Sequence, residues 1–164
     1  MRVIAVVAAV LTLAACGGSK TGPGEISGFG LIYDQRPGRS FEGLPKTALA
    51  DMQTGRVVMT GPSRISAEDG TMVFDDATMT VAFRTGEVTY EADYVFPDSH
   101  PLGIIQVRQS GQLNGTRIET SPANVDGRLS GDFYGTDGTV AAGFFGQGQP
   151  GGGDLHGAYI VSNE

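Results

Sequence analysis

Few residues in this 164-residue chain are equipped for metal, redox or nucleophilic chemistry. It has one cysteine (Cys16), two histidines and no tryptophan. A single cysteine excludes an intramolecular disulfide and any cysteine-rich metal or redox cluster. Basic residues are also scarce, with 11 Lys and Arg against 18 Asp and Glu. Nucleic acid is therefore not an expected partner, because phosphate binding relies on Lys and Arg releasing counterions. A polybasic patch for anionic lipid is excluded on the same ground. After residue 15 no segment approaches the roughly 18 apolar residues that a spanning helix needs. What is abundant is glycine, 26 residues of it, in a chain poor in helix formers.

The one long apolar run is "VIAVVAAVLTLAA" at 3–15, behind the single charge of Arg2. Its length and flanks define a signal peptide rather than a membrane span. It ends in "LAAC", which resembles the bacterial lipobox. The resemblance implies that Cys16 becomes the mature N-terminus and carries a diacylglycerol thioether and an N-acyl chain. Membrane lipid, reached through acylated Cys16, is then the first expected partner, since several buried acyl chains hold where one alone is marginal. Gly17 stands where inner-membrane lipoproteins favour Asp, so an outer-membrane address is expected. Losing Arg2 with the leader leaves 10 basic side chains against 18 acidic ones, about −8 for the mature chain.

The expected organisation is a leader at 1–15, lipidated Cys16 and a tether at 16–25, an irregular segment at 26–53, and one domain at 54–164. "GGSKTGPGE" at 17–25 has nothing to bury and acts as a flexible spacer. Within 26–53, "ISGFGLIYD" has strand character, "RPGRSFEGLP" that of a loop, and "PKTALADM" that of one helical turn.

From Thr54 a period of two takes over. In "EVTYEADYVF", Val88, Tyr90, Ala92, Tyr94 and Phe96 share one face and Glu87, Thr89, Glu91 and Asp93 the other. Such alternation is what a half-buried antiparallel strand requires. "GRVVMTG", "TMTVAF", "GIIQVRQ", "GQLNGTRIE", "NVDGRLSGDFYG", "TVAAGFFG" and "LHGAYIVS" are further strands. The separators are "EDG" at 68–70, "TG" at 85–86, "PDSHP" at 97–101, "TDG" at 136–138 and "QGQPGGGD" at 147–154. About eight short strands in sequence order describe an up-and-down barrel or a sandwich.

Glycine spacing favours the barrel. In "GRLSGDFYG" one face runs Gly127, Leu129, Gly131, Phe133, Gly135, and Gly111, Leu113 and Gly115 repeat the pattern upstream. Small residues alternating with large ones fill a narrow interior while letting the strands coil. The fold expected is all-β, a small antiparallel barrel with a filled, Gly-rich core.

At these residues the chain resembles the β-barrel domain of transferrin-binding protein B and related Gram-negative surface lipoproteins. "GRVVMTG", "MTVAFRTGEVTYEADY", "GRLSGDFYGTDGTVAAGFFG" and "HGAYIVS" follow the domain's strands in order, over about two thirds of the chain. The resemblance implies a lipid-anchored surface protein. Members that capture transferrin are longer, with two lobes that each carry a "handle" domain, whereas this chain holds one barrel.

No catalytic residue, metal ligand set or cofactor motif is expected. No G-x-S-x-G occurs, and "GQGQPGGGD" lacks the Lys and following helix of a phosphate loop. Glu68, Asp69, Asp75 and Asp76 lack the alternating oxygen spacing of an EF-hand and fit solvated turn ends. His156 fits an interior or rim position. Tyr134 and one of Phe144 and Phe145 point outward, toward a partner or toward residues 26–53. The expected role is binding of a protein or other ligand through barrel-end loops, with Arg36, Arg39, Phe41, Asp98, His100, Gln147 and Asp154 as the candidate contacts. The alternatives are a periplasm-facing structural envelope lipoprotein and a small-solute-binding barrel. Replacing the anchor tests the first step: Cys16→Ala is expected to abolish incorporation of labelled palmitate and to move the protein from the membrane to the soluble fraction.

Overall fold

The computed structural model describes residues 41, 43–125, 127–148 and 154–163. Eight antiparallel strands, β1 (Arg56–Ser66), β2 (Met72–Ala82), β3 (Glu87–Val95), β4 (Ile104–Asn114), β5 (Arg117–Thr120), β6 (Gly127–Tyr134), β7 (Val140–Gly148) and β8 (Asp154–Ser162), close into a barrel. Each strand pairs with its neighbours in sequence, and β1 pairs with β8. The alternation foreseen in β3 is complete, with Val88, Tyr90, Ala92 and Tyr94 buried between exposed neighbours. Short 3₁₀ turns lie at Leu49–Asp51, inside the segment foreseen as a helical turn, and at Thr136–Gly138.

The interior is packed with side chains. Tyr90, Tyr94, Tyr159, Phe96, Phe133, Met59, Met79, Ile65, Ile118 and Leu129 are all fully buried. The Tyr90 ring lies 5.0 Å from Phe145 and 5.1 Å from Tyr159, centroid to centroid. Glycines make this arrangement possible. A Cβ on Gly131 would overlap the Tyr159 hydroxyl and the Ala142 carbonyl, and one on Gly157 would enter the Phe145 ring. Within "GRLSGDFYG", Gly131 thus makes room for Tyr159 of β8, and Gly127 for the Gln109 side chain of β4.

Three local expectations need correction. Gly135 does not continue the interior face; it follows the end of β6 at a φ of 77°, in the turn to β7. "GIIQVRQ" and "GQLNGTRIE" are not two separate strands. Residues 104–114 form one strand, and the break falls at Asn114-Gly115, where Gly115 (φ 63°) turns the chain into β5. Gly111, inside β4, is instead an interior residue facing Leu129. Lastly, β1 does not stop at Gly61-Pro62 but runs on to Ser66. The ladder to β2 pairs both residues, and the gap at Gly61 and Pro62, where Pro62 has no N–H to give, falls on the ladder to β8.

A second apolar cluster lies on the outer wall. Phe41 and Leu44 pack over Tyr134, Val140, Ala142, Ala158 and Ile160. The attachment uses an edge left free by the short β5, which pairs with β6 only at Arg117↔Asp132 and Ile118↔Gly131. Lys46 bridges to Tyr134, the Thr47 N–H donates to the Phe133 carbonyl at 2.9 Å, and Lys46 meets Asp132 at 2.9 Å. Outward-facing Tyr134 is therefore covered by the segment before the barrel. On the opposite side, the β2–β3 ladder runs from Ala82↔Glu87 only to Thr78↔Glu91.

Two glycine substitutions separate crowding from propensity. Gly131→Ala meets backbone and a buried hydroxyl, and about 2–3 kcal/mol of destabilisation is expected from overpacking. Gly111→Ala meets the Leu129 methyl at 3.0 Å and the Glu119 carbonyl and an Ile118 methyl at 3.2 Å, contacts relieved by shifts of a few tenths of an ångström, and about 1 kcal/mol is expected. Urea denaturation of the two variants beside the parent measures the difference.

Candidate functional site

The connections β1–β2, β3–β4, β5–β6 and β7–β8 all leave the same end of the barrel, here the loop end, which gathers most of the candidate residues. Asp98 is exposed on the β3–β4 hairpin. His100, on the same hairpin, is committed to structure. Its ring stacks on Phe96 at 4.7 Å, its Nδ1 accepts the Leu102 N–H, and its Nε2 lies 3.1 Å from the Asp69 carboxylate. The neutral tautomer that satisfies both contacts donates from Nε2 to Asp69. Asp69 is held below the ordinary carboxylate range, first by hydrogen bonds from Thr71 and then by His100. The pair fastens the β1–β2 turn to the β3–β4 hairpin.

Gln147 faces the barrel mouth. Buried Gln109 donates from Nε2 to the Gln147 side-chain oxygen at 2.6 Å and accepts from the Asn124 amide. Gly127 leaves space for the Gln109 amide. These three amides close the interior toward the loop end. Phe41 is 6% exposed and belongs to the outer-wall cluster rather than to a solvent-facing loop. Cys16, Arg36 and Arg39 lie outside the described residues, as does "ISGFGLIYD".

Beyond the part covered by Phe41 and Leu44, the outer wall of β6–β8 forms a groove of about 490 Å³. Arg128 and Ser130 of β6, Phe144 of β7, and Asp154 and His156 of β8 line it, with Val125 at the edge. Phe144 is 54% exposed and Val125 86%. Asp154 and His156 also border a second hollow beside Ser66 and Glu68, so the concavity continues across the β8–β1 seam. Of the candidate residues, the groove brings together Gln147 and Asp154; Asp98 and His100 lie apart, on the β3–β4 hairpin. Arg128 and Val125 were missed. Arg128 was already legible on the polar face of "GRLSGDFYG", but periodicity alone does not show which part of a wall stays uncovered.

Among solved structures, the chain is similar to two variants of the vaccine antigen Transferrin Binding Protein B from Haemophilus parasuis Hp5. Identities are 19% and 18%, TM-scores 0.45 in both, and 73% of this chain is covered in each. The match spans 29% and 28% of those chains, so this protein corresponds to less than a third of their length. The N-lobe domain of Lactoferrin Binding Protein B of Moraxella bovis is similar at 12% identity and a TM-score of 0.42, over 70% of this chain and 61% of that one. No family model and no curated protein matches the sequence.

Buried hydroxyls form the remaining polar feature. The Tyr90 and Tyr94 hydroxyls meet at 3.0 Å, Tyr94 donates to Ser63 at 2.7 Å, and Ser63 donates to the Asp75 carbonyl at 2.9 Å. Tyr159 donates to the Ser130 carbonyl. Burial pushes the Tyr94 phenol up to about 12, and raises Tyr90 and Tyr159 as well. These groups stay protonated near neutral pH and supply no ionised nucleophile or base there. Because the folded state holds the phenolic protons more tightly than the unfolded state, their contribution to stability is complete below about pH 10. It is lost as pH rises through about 12. The urea midpoint is therefore expected to fall between those values, with phenolate absorbance rising in step with unfolding; full titration of a still-folded barrel at pH 10 would contradict the buried network.

Proposed function

We propose that this protein is a non-catalytic lipoprotein, anchored in the outer membrane through acylated Cys16, which binds a protein ligand at the loop end of its barrel. The observation that carries this reading is the groove beside Phe144. An exposed aromatic ring flanked by Arg128 and Asp154 has the composition that protein interfaces favour, an aromatic and arginine anchor with a polar rim. A packed interior supports the same reading, because rings occupy the space that an enclosed small solute would need. The tether at 16–25 gives the barrel a reach of roughly 30 Å from the lipid surface when extended. Residues 54–164 form the binding domain, and the segment before them serves as its brace.

Facing decides between this role and that of a periplasmic structural lipoprotein. Protease added to intact cells is expected to cleave the barrel domain, with permeabilised cells as the positive control. Protection until permeabilisation would leave the structural role and remove the external ligand.

A further inference from the structure

Where one face of an antiparallel sheet meets water, its outward residues are ordinarily polar. Four outward positions on adjoining strands of the barrel are not. Ala142 of β7, Ala158 and Ile160 of β8 and Pro62 of β1 are buried, although none of them points into the interior. The first three lie in the cluster with Phe41 and Leu44. Pro62 carries the buried strip across the β8–β1 seam, beyond that cluster. Toward the loop end the strip runs into Phe144, which pairs with Ala158 across the β7–β8 ladder. Small side chains give the strip a smooth floor, and the half-exposed ring of Phe144 stands at its edge.

The chain itself supplies a segment of matching shape. The described contact with this wall begins at Phe41, and residues 26–40, which lie outside the described residues, come immediately before it. "ISGFGLIYD" at 26–34 places Phe29, Leu31 and Tyr33 at alternate positions. In an extended segment that spacing turns all three to one side. Phe144 stands two residues beyond Ala142 on β7, roughly 7 Å along the strand. Residues 35–40 alone span up to roughly 20 Å, so the segment reaches the groove with chain to spare. A short flexible link also holds a segment near its seat at about millimolar effective concentration, which populates even a weak contact.

We propose that residues 26–34 seat as an extended segment on the outer wall of β7 and β8 against Phe144, so that any ligand of the groove must compete with them. The seat stands by itself; its role as a competitor rests on the reading of the groove given above. Displacement also has a mechanical consequence. It frees residues 26–40 to join the tether, adding roughly 50 Å to the reach of the barrel when extended.

Cysteine pairs test the seat. In the mature chain carrying Cys16→Ala, which has no other cysteine, Phe144→Cys is combined in turn with Phe29→Cys, Leu31→Cys and Tyr33→Cys and oxidised mildly. A disulfide within one chain is expected for at least one of the three pairs. None is expected when the barrel cysteine is placed instead at exposed Thr89, on the outer wall of β3. Bonds formed only between chains would assign the seat to a second copy and overturn the proposal, as would no bond at all or equal bonding to position 89. A second measurement leaves Phe144 intact. A synthetic peptide of residues 26–34 is expected to bind the mature chain lacking those residues with a Kd of about 0.1 mM or tighter, and the intact chain about tenfold more weakly, the ratio set by the millimolar effective concentration. Equal binding to both chains, or none to the shortened one, would overturn it. Neither measurement needs an external ligand. A barrel protected from protease in intact cells would remove that ligand and leave the seat as it is.

Discussion

A closed barrel of eight strands has an interior of limited width, and the rings that fill it need neighbours without side chains. That complementarity between glycine and aromatic residues is the constraint on which the rest of this structure depends. Tyr159 fits because Gly131 and Gly143 face its hydroxyl, and Phe145 fits because Gly157 lies beneath its ring. Glycine in a strand costs backbone entropy, and here the burial of rings from the opposing strands offsets it. Once the interior is filled this way, the surface left exposed lies on the walls and at the loop end.

The polar groups inside follow from the same closure. A buried hydroxyl or amide is costly unless it is hydrogen-bonded. Tyr90, Tyr94 and Ser63 satisfy one another and end on a backbone carbonyl, while Gln109, Gln147 and Asn124 do the same at the mouth. The amide set ties β4, β7 and the β5–β6 connection together, and the Asp69–His100 pair ties β1–β2 to β3–β4. Residues that look available for ligand contact in the sequence, His100 and Gln147 above all, are thereby engaged in holding the loop end in shape.

Period-two patterning made β3 legible residue by residue, and the Gly-Leu-Gly-Phe face of β6 was enough to argue for a barrel. It misplaced what depends on partners distant in sequence. Whether Gly61-Pro62 ends a strand depends on which neighbour lacks a rung, and that neighbour is β8. Whether Gly111 separates two strands or lies within one depends on Leu129, on β6. The candidate site was legible to a similar degree. Asp154 stands out as a charge beside a turn, whereas the exposure of Phe144 depends on how far Phe41 and Leu44 extend over the wall, about a hundred residues away in sequence.

The two sides of the barrel solve opposite problems. On β6–β8 the short β5 leaves a hydrogen-bonding edge, and residues 45–47 fill it from within the chain. On β2–β3 the strands are long enough to pair further, yet their ladder ends at Thr78↔Glu91. Full ladders to β1 and β4 secure both edges, so the missing rungs do not loosen the hairpins that flank them. An edge left short by strand length is satisfied by a fixed local segment.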